Sequence, residues 1–385
     1  MNLFVILALG LCVFYLWTVL FLLRGLWALP ASGRPKGYTY SVVIAAHNEE
    51  RTIENCLRHV LAQSLPADRF EVILAADRCS DATVEIASRF GRAGKDLSIL
   101  EIPDVPPGYA PKKHALTHAI SRARHEIIVM TDADCTVPPA WLETFDRNFD
   151  LGVGLVQGIT TYEHPGAMHP LLYGLQAVDF LSHGIVSAAA IGAGFPLNSN
   201  ANNLAFRKKV FDEVGGYESV RGLVSGDDDL LLQKVGRHAP WKLRFMTDPA
   251  GAVTTLPTPS VEGIIEQRKR WGSKTVHYNG PQVAVLSGIF AFYVVMVTSF
   301  VAGLGHPPFF VPFGIMLAVK LSGEALLMIP GTRIFRQEHL RRYLIPASLL
   351  QLPMVVIAVL GGVFGRFTWK GRLSSRTVSS PRQPN

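Results

Sequence analysis

The sequence predicts an α/β fold, a mostly parallel sheet covered by helices on both faces and flanked by transmembrane segments. Three observations carry this expectation. Four short apolar runs alternate with helix-like stretches between Ser41 and Asp134. Those runs are nearly continuous in Val, Ile, Leu and Ala, the pattern of strands buried on both faces. Uncharged apolar stretches stand near both ends of a 385-residue chain whose hydrophobic content is 49%, high for a purely soluble protein.

In chain order, Leu3 to Leu23 carries no charge and is followed by Arg24, Arg34 and Lys36. It is long enough to cross a bilayer. With no basic segment before it and an apolar run longer than a signal-peptide core, it reads as a retained anchor over residues 1–29. Its positive flank places the following domain, residues 38–280, on the cytoplasmic face of the cell membrane. The net charge of +7 does not point to nucleic acid. The basic residues gather beside apolar segments, at 268–270, Arg336, Arg341, Arg342 and from Arg366 to Arg382, which suits an anionic bilayer surface. Cys12, Cys56, Cys79 and Cys135 show no metal-ligand spacing and fit a reducing compartment.

Strands are expected at Ser41–Ala46, Glu71–Ala76, Leu97–Ile102 and Glu126–Thr131, with helices over Glu49–Ala62, Asp81–Phe90 and Lys112–Ala123. Ligands of such sheets sit beyond the carboxyl ends of the strands. The first strand ends in Ala45-Ala46-His47-Asn48-Glu49, the second in Ala76-Asp77, and the fourth in Asp132-Ala133-Asp134. Strand alternation would put Asp132 and Asp134 on one face, and paired carboxylates suit a hard divalent cation that shares its oxygens with phosphates. Asp77 reads equally as a turn or cap residue. Pro111 delivers Lys112-Lys113 to a helix start, where the macrodipole disfavours cations unless an anion binds there; a solvated pair is the plainer alternative.

Beyond Asp134, residues 164–197 read as a helix against the membrane or the core, and their histidines lack zinc spacing. Ala201–Arg207 is a strand or helix start. Asp227-Asp228-Asp229 opens an apolar helix, which the dipole favours without catalysis, but one acid left over from capping would serve as a general base. Gln267, Arg270 and Trp271 share a helix face at i, i+3 and i+4. Membrane segments are expected over residues 283–365, at Val283–Leu304, Pro308–Ile329 and Tyr343–Gly365. The second contains Lys320 and Glu324, an intramembrane pair that is either functional or a helix lock. A basic tail, 366–385, follows. Keeping it cytoplasmic requires two crossings and a third element that does not cross.

Taken together, Ala45–Glu49, Asp77, Lys112-Lys113-His114-Ala115-Leu116, Asp132-Ala133-Asp134, Asp227-Asp228 and Gln267-Arg-Lys-Arg-Trp271 resemble, in order, the membrane-integrated family 2 glycosyltransferases related to ceramide glucosyltransferases and to chitin and hyaluronan synthases. The resemblance implies a GT-A type fold, inversion at the sugar, and a nucleotide-sugar donor, most often a UDP-sugar. It implies that Asp77 meets the uracil with the Ala45–Glu49 turn, and that Lys112, rather than Lys113, is the motif lysine. Asp132 and Asp134 would bind Mg²⁺ or Mn²⁺ and the donor, Arg270 the diphosphate, and Gln267 and Trp271 the acceptor. The Asp-x-x-Leu spacing selects Asp228 as base, and a shift by one selects Asp227. Gly226 before three aspartates, and Arg78-Cys79 where Gly-Ser is common, depart from the family pattern.

The expected acceptor is a lipid hydroxyl, to which Trp369-Lys-Gly-Arg372 adds a resemblance to lipid-directed members; a processive polysaccharide synthase is the alternative. A non-catalytic nucleotide-binding scaffold is the rival from another class. A transporter is disfavoured because only Lys320 and Glu324 bring charge into the spans.

Overall fold

The computed structural model describes residues 2–92, 94, 96–238, 240–369 and 372–374. In chain order it runs α1 (Asn2–Trp27), β1 (Tyr40–Ala46), α2 (Ile53–Val60), β2 (Phe70–Asp77), α3 (Thr83–Arg92), β3 (Leu97–Ile102), α4 (Pro111–Arg122) and β4 (Ile127–Asp132). Next come α5 (Trp141–Asp146), β5 (Val153–Gln157), β6 (Thr160–Tyr162), α6 (Pro170–Gly192), β7 (Leu204–Arg207), α7 (Lys208–Glu213), α8 (Asp229–Arg237), β8 (Lys242–Phe245) and β9 (Val253–Thr255). The chain continues through α9 (Val261–Ser273), α10 (Gly280–Gly305), α11 (Phe310–Ile334) and α12 (Leu344–Phe364) to a hairpin of β10 (Phe367–Trp369) and β11 (Arg372–Ser374). The rest of the expected basic tail, 370–371 and 375–385, lies outside the described residues.

Two compact units divide the chain. One holds Leu29–Pro165 and Asn198–Pro257, and the other Met1–Ala28, Gly166–Leu197 and Thr258–Arg376. The segment expected as one domain, 38–280, is thus shared between them.

The first unit is built on a seven-stranded sheet ordered β3-β2-β1-β4-β7-β5-β8. Strands β3, β2, β1 and β4 are parallel, β7 is antiparallel to both neighbours, and β8 is parallel to β5. The apolar runs form the expected central strands because both faces are covered: Val42, Val43, Ile44, Val72, Leu74, Ile128 and Val129 are fully buried. Helix α2 buries Ile53, Cys56, Leu57 and Val60, the i, i+3, i+4, i+7 stripe of an amphipathic helix. In register Ala45 lies opposite both Ala75 and Asp132. The carboxyl ends of β2, β1 and β4 therefore stand side by side.

The second unit is helical. Among the described residues five helices, within Asn2–Trp27, Pro170–Gly192, Gly280–Gly305, Pro307–Ile334 and Glu338–Val363, are long and apolar enough to cross a membrane. Alpha helices α1 and α6 pack closely through small residues: a Cβ on Gly25 would stand 2.1 Å from the Ala189 carbonyl oxygen. Small residues permit such backbone approach between apolar helices. The third C-terminal apolar segment stays helical through Pro353. Lys320 is fully buried and donates to Glu324, to the Ser348 carbonyl at 3.0 Å and to Gln351 Oε1 at 3.1 Å, while Tyr293 donates to Gln351 at 2.9 Å. With its three donors engaged, this ammonium ties α11 to α12, matching the helix-lock reading.

Candidate active site

Two loops at the ends of β1 and β2 are laced together. The Ser80 amide donates to Asn48 Oδ1 at 2.9 Å, the Glu49 amide to Thr83 Oγ1 at 2.8 Å, and the Glu50 amide to Asp81 at 3.0 Å. Asn48 and Arg78 both adopt positive φ, at 55° and 46°, a conformation that non-glycine residues take only where surroundings hold it. His47 Nδ1 lies 2.6 Å from the Asp77 carbonyl. The capping role left open for Asp77 is taken by Asp81, which accepts the Thr83 amide at 3.0 Å. The buried Asp77 carboxylate instead receives both arms of its neighbour Arg78, at 2.8 and 3.0 Å. Arg78, a departure from the family pattern, is thus part of whatever surface Asp77 offers.

Strand β4 ends at Asp132, so Asp134 stands in the turn that follows rather than at the next same-face strand position. Strand alternation therefore does not relate the two carboxylates. They share surroundings all the same. The Cys56 thiol is pushed well above its ordinary pKa by its burial first, then by the charges of Asp134, Asp132 and Glu49. Three expected site carboxylates thus bear on one buried sulfur of α2.

Neither lysine of the pair at α4 is solvated. Lys112 Nζ lies 2.9 Å from Asp132 Oδ1 and 3.0 Å from Asp227 Oδ2. Burial works against its ammonium, yet Asp132 and Asp227 outweigh it and hold the pKa well above the usual lysine value. The unfavourable dipole position is thus met by the protein's own carboxylates. Lys113 is 1% exposed and donates to the carbonyls of Leu223, at 2.5 Å, and Ser225, at 2.8 Å. It clamps the loop that leads into the aspartates, a role the sequence reading did not assign.

The three aspartates separate by function in the fold. Asp228 is the N-cap of α8: Oδ1 accepts the Asp229 amide at 2.7 Å and Oδ2 the Ala201 amide at 3.2 Å. Asp229 is fully buried and accepts the Ser199 amide at 2.6 Å. Asp227 pairs with Lys112 and, through it, with the tip of β4.

In the helical unit, Gln267, Arg270 and Trp271 lie on α9 as expected. The buried residue of that motif is Arg268. Its guanidinium pairs with Asp179 of α6, donates to Gln267 Oε1 at 2.9 Å and lies 4.1 Å from the Trp271 ring centroid. Trp271 also packs against Phe180 and His183 at centroid distances of 6.1 and 5.3 Å. One planar cation thus orients both Gln267 and Trp271. Nothing in local spacing pointed to Asp179, which stands 89 residues from its partner.

Residues 35–273, more than half of the chain, match the family described as "Glycosyltransferase like family 2". The chain is a family 2 glycosyltransferase. It is 27% identical over 223 residues to Glycosyltransferase AglE of Haloferax volcanii, covering 56% of this chain and 67% of that one. It is 25% identical over 241 residues to the poly-beta-1,6-N-acetyl-D-glucosamine synthase of Staphylococcus epidermidis, covering 60% of this chain and 53% of that relative. The mannosyltransferase PcManGT from Pyrobaculum calidifontis, solved with GDP-Man and Mn²⁺, superposes with a TM-score of 0.58 at 18% identity, over 94% of this chain and 99% of its own. This shows that the glycosyltransferase has the GT-A type fold.

The donor chemistry of this family 2 glycosyltransferase at β4 suits Mg²⁺ or Mn²⁺. Asp134 is exposed and Asp132 half-buried, and carboxylate oxygens are the ligands such hard cations prefer. Among the described residues no group of three or more His, Cys, Asp and Glu side chains is arranged to hold a metal. Asp132 and Asp134 could supply two carboxylates to such an ion, with its remaining positions open to water or ligand oxygens.

Proposed function

We propose that this protein is a membrane-bound inverting glycosyltransferase that moves a sugar from a nucleotide-sugar, a UDP-sugar first, to a lipid hydroxyl at the cytoplasmic face. The observation that carries the reading is the single ammonium of Lys112 between Asp132 and Asp227 at the carboxyl edge of the parallel strands. It supports the reading because a positive charge, the carboxylate that would hold the cation and a candidate base stand within ion-pair distance of one another.

In this reading Ala45, Glu49 and Asp77, with Arg78, receive the nucleoside. Asp132 and Asp134 hold the divalent ion, which supplies positive charge to the diphosphate leaving group. Lys112 adds charge in the same place. Asp227 takes the proton of the acceptor hydroxyl while the hydroxyl oxygen bonds to the anomeric carbon and the carbon–phosphate oxygen bond breaks on the opposite face. Asp228, whose carboxylate already serves two backbone amides, is left as a cap. Arg270, Gln267 and Trp271 enter the proposal by their motif alone.

The test uses the full-length protein in native-like membranes with a panel of UDP-sugars and GDP-mannose, with and without Mg²⁺ or Mn²⁺. Release of nucleoside diphosphate is expected for one donor and only with the metal. Lys112→Met is expected to lower this release by about 10²–10³, as for loss of one preorganised transition-state charge, with Lys112→Arg retaining more. Undiminished release in Lys112→Met would remove the crevice from the mechanism. The similarity to a polysaccharide synthase favours a second reading, a processive enzyme. Mass spectrometry decides between them, since a single-sugar lipid supports the first and a ladder of products the second.

A further inference from the structure

We propose that His114 and His118 of α4 form a two-imidazole site for an exchangeable divalent transition ion of the Cu²⁺, Zn²⁺ or Ni²⁺ class, separate from the carboxylate site at β4. The residues lie at i and i+4 on one helix, the spacing by which a helix presents two imidazoles to one metal. Their Nε2 atoms are 3.1 Å apart, with ring centroids at 4.5 Å and planes at 69°. Two bonds of about 2.0–2.1 Å from nitrogens so placed enclose an angle of about 100° at the ion. That falls between the angles of tetragonal and tetrahedral coordination, within reach of either by small ring rotations.

The surroundings allow entry: His118 is exposed, leaving a path for the ion and its waters. Tyr109 packs its edge against His114 at 5.2 Å and limits the ring to its present side. The buried Nδ1 of His114 has no hydrogen-bond partner, so no outer acceptor strengthens this ligand. Among the described residues no third protein donor completes the set. Two ligands and open positions describe an exchangeable ion rather than a structural one. Imidazole nitrogens select borderline ions, and the carboxylates of Asp132 and Asp134 select hard ones, so the two sites discriminate by chemistry.

The experiment titrates the full-length protein in detergent, kept in excess Mg²⁺, with Cu²⁺ and records electron paramagnetic resonance. Wild type is expected to bind one Cu²⁺ with the equatorial signature of two imidazole nitrogens. His118→Gln is expected to lose that signature and to weaken binding at least tenfold, and His114→Gln to do the same, while His118→Gln keeps its Mg²⁺-dependent nucleoside diphosphate release. Zn²⁺ is expected to raise the apparent Tm of wild type and not of His118→Gln. Unchanged Cu²⁺ affinity and signal in His118→Gln would overturn the proposal, as would a wild-type signal that survives the double substitution. Neither outcome bears on glycosyl transfer, because the titration needs no sugar donor.

Discussion

Asp227→Asn is expected to lower kcat by about 10²–10⁴, the usual loss for a positioned proton acceptor, while leaving nucleoside diphosphate affinity within a few-fold of wild type. The substitution keeps the shape of the side chain and removes its capacity to take a proton. The partner variant is Asp228→Asn. Asparagine caps helices as well as aspartate does, so its carbonyl oxygen continues to hold the Asp229 amide; its NH₂ then faces the Ala201 amide, which costs stability, while turnover per folded molecule stays near wild type. Asp228→Ala removes the cap and is expected to destabilise by roughly 1 kcal/mol without a matching loss of rate per folded molecule. Calorimetry with the nucleoside diphosphate and steady-state turnover, run side by side, separate binding from chemistry. An active Asp227→Asn with an inactive Asp228→Asn would reverse the assignment.

The sequence left those two aspartates in competition because spacing to a following leucine fits either. What separates them is tertiary: Asp228 meets the Ala201 amide from 27 residues away and Asp227 meets Lys112 from another helix. The central strands were legible to within a residue or two, since burial on both faces writes a continuous apolar run. Their shared carboxyl edge followed from parallel pairing. Strand alternation does not relate Asp132 to Asp134 for a local reason, as β4 ends two residues before Asp134. The antiparallel strand β7 was ambiguous because four residues are too few to show a period.

Long-range ion pairs were the least legible feature. Arg268 sits between the motif residues and read as a membrane-surface charge, yet it is 8% exposed and pairs with Asp179. A basic residue inside an amphipathic helix gives no sign of which face finds a distant acid. The His114–His118 pair stands openly in the sequence at i, i+4, but spacing alone does not tell that the two ring nitrogens approach to 3.1 Å. Lys113 shows the same limit, since two adjacent lysines look alike until one is found bonded to backbone carbonyls.

Asp146→Asn is expected to be among the most destabilising single changes in the sheet-bearing unit. Asp146 is 1% exposed at the end of α5 and accepts five donors: the amides of Lys36, Gly37 and Tyr38 at 2.9, 3.1 and 2.9 Å, the Tyr40 phenol at 2.8 Å and Arg69 at 3.2 Å. It thereby fixes the chain entering β1, the strand beside both β2 and β4. An asparagine amide would turn one N–H₂ group toward donors that need acceptors, and would leave Arg69 without its carboxylate. Breaking a buried pair in this way costs about 3–5 kcal/mol. The pH dependence has a definite sign. Burial raises the Asp146 pKa, but the Gly37 amide, the Tyr40 phenol and the amides of Tyr38 and Lys36 outweigh it and hold the carboxyl below its ordinary value. Its contribution to stability is therefore complete above the unfolded-state pKa of about 3.9 and is lost as pH falls through the lower folded value. Apparent Tm of the full-length protein in detergent, followed from neutral to acid pH, checks both parts. Wild type should lose stability at the acid end more steeply than Asp146→Asn, with the two curves converging there, and equal melting at neutral pH would show that the five donors find other partners.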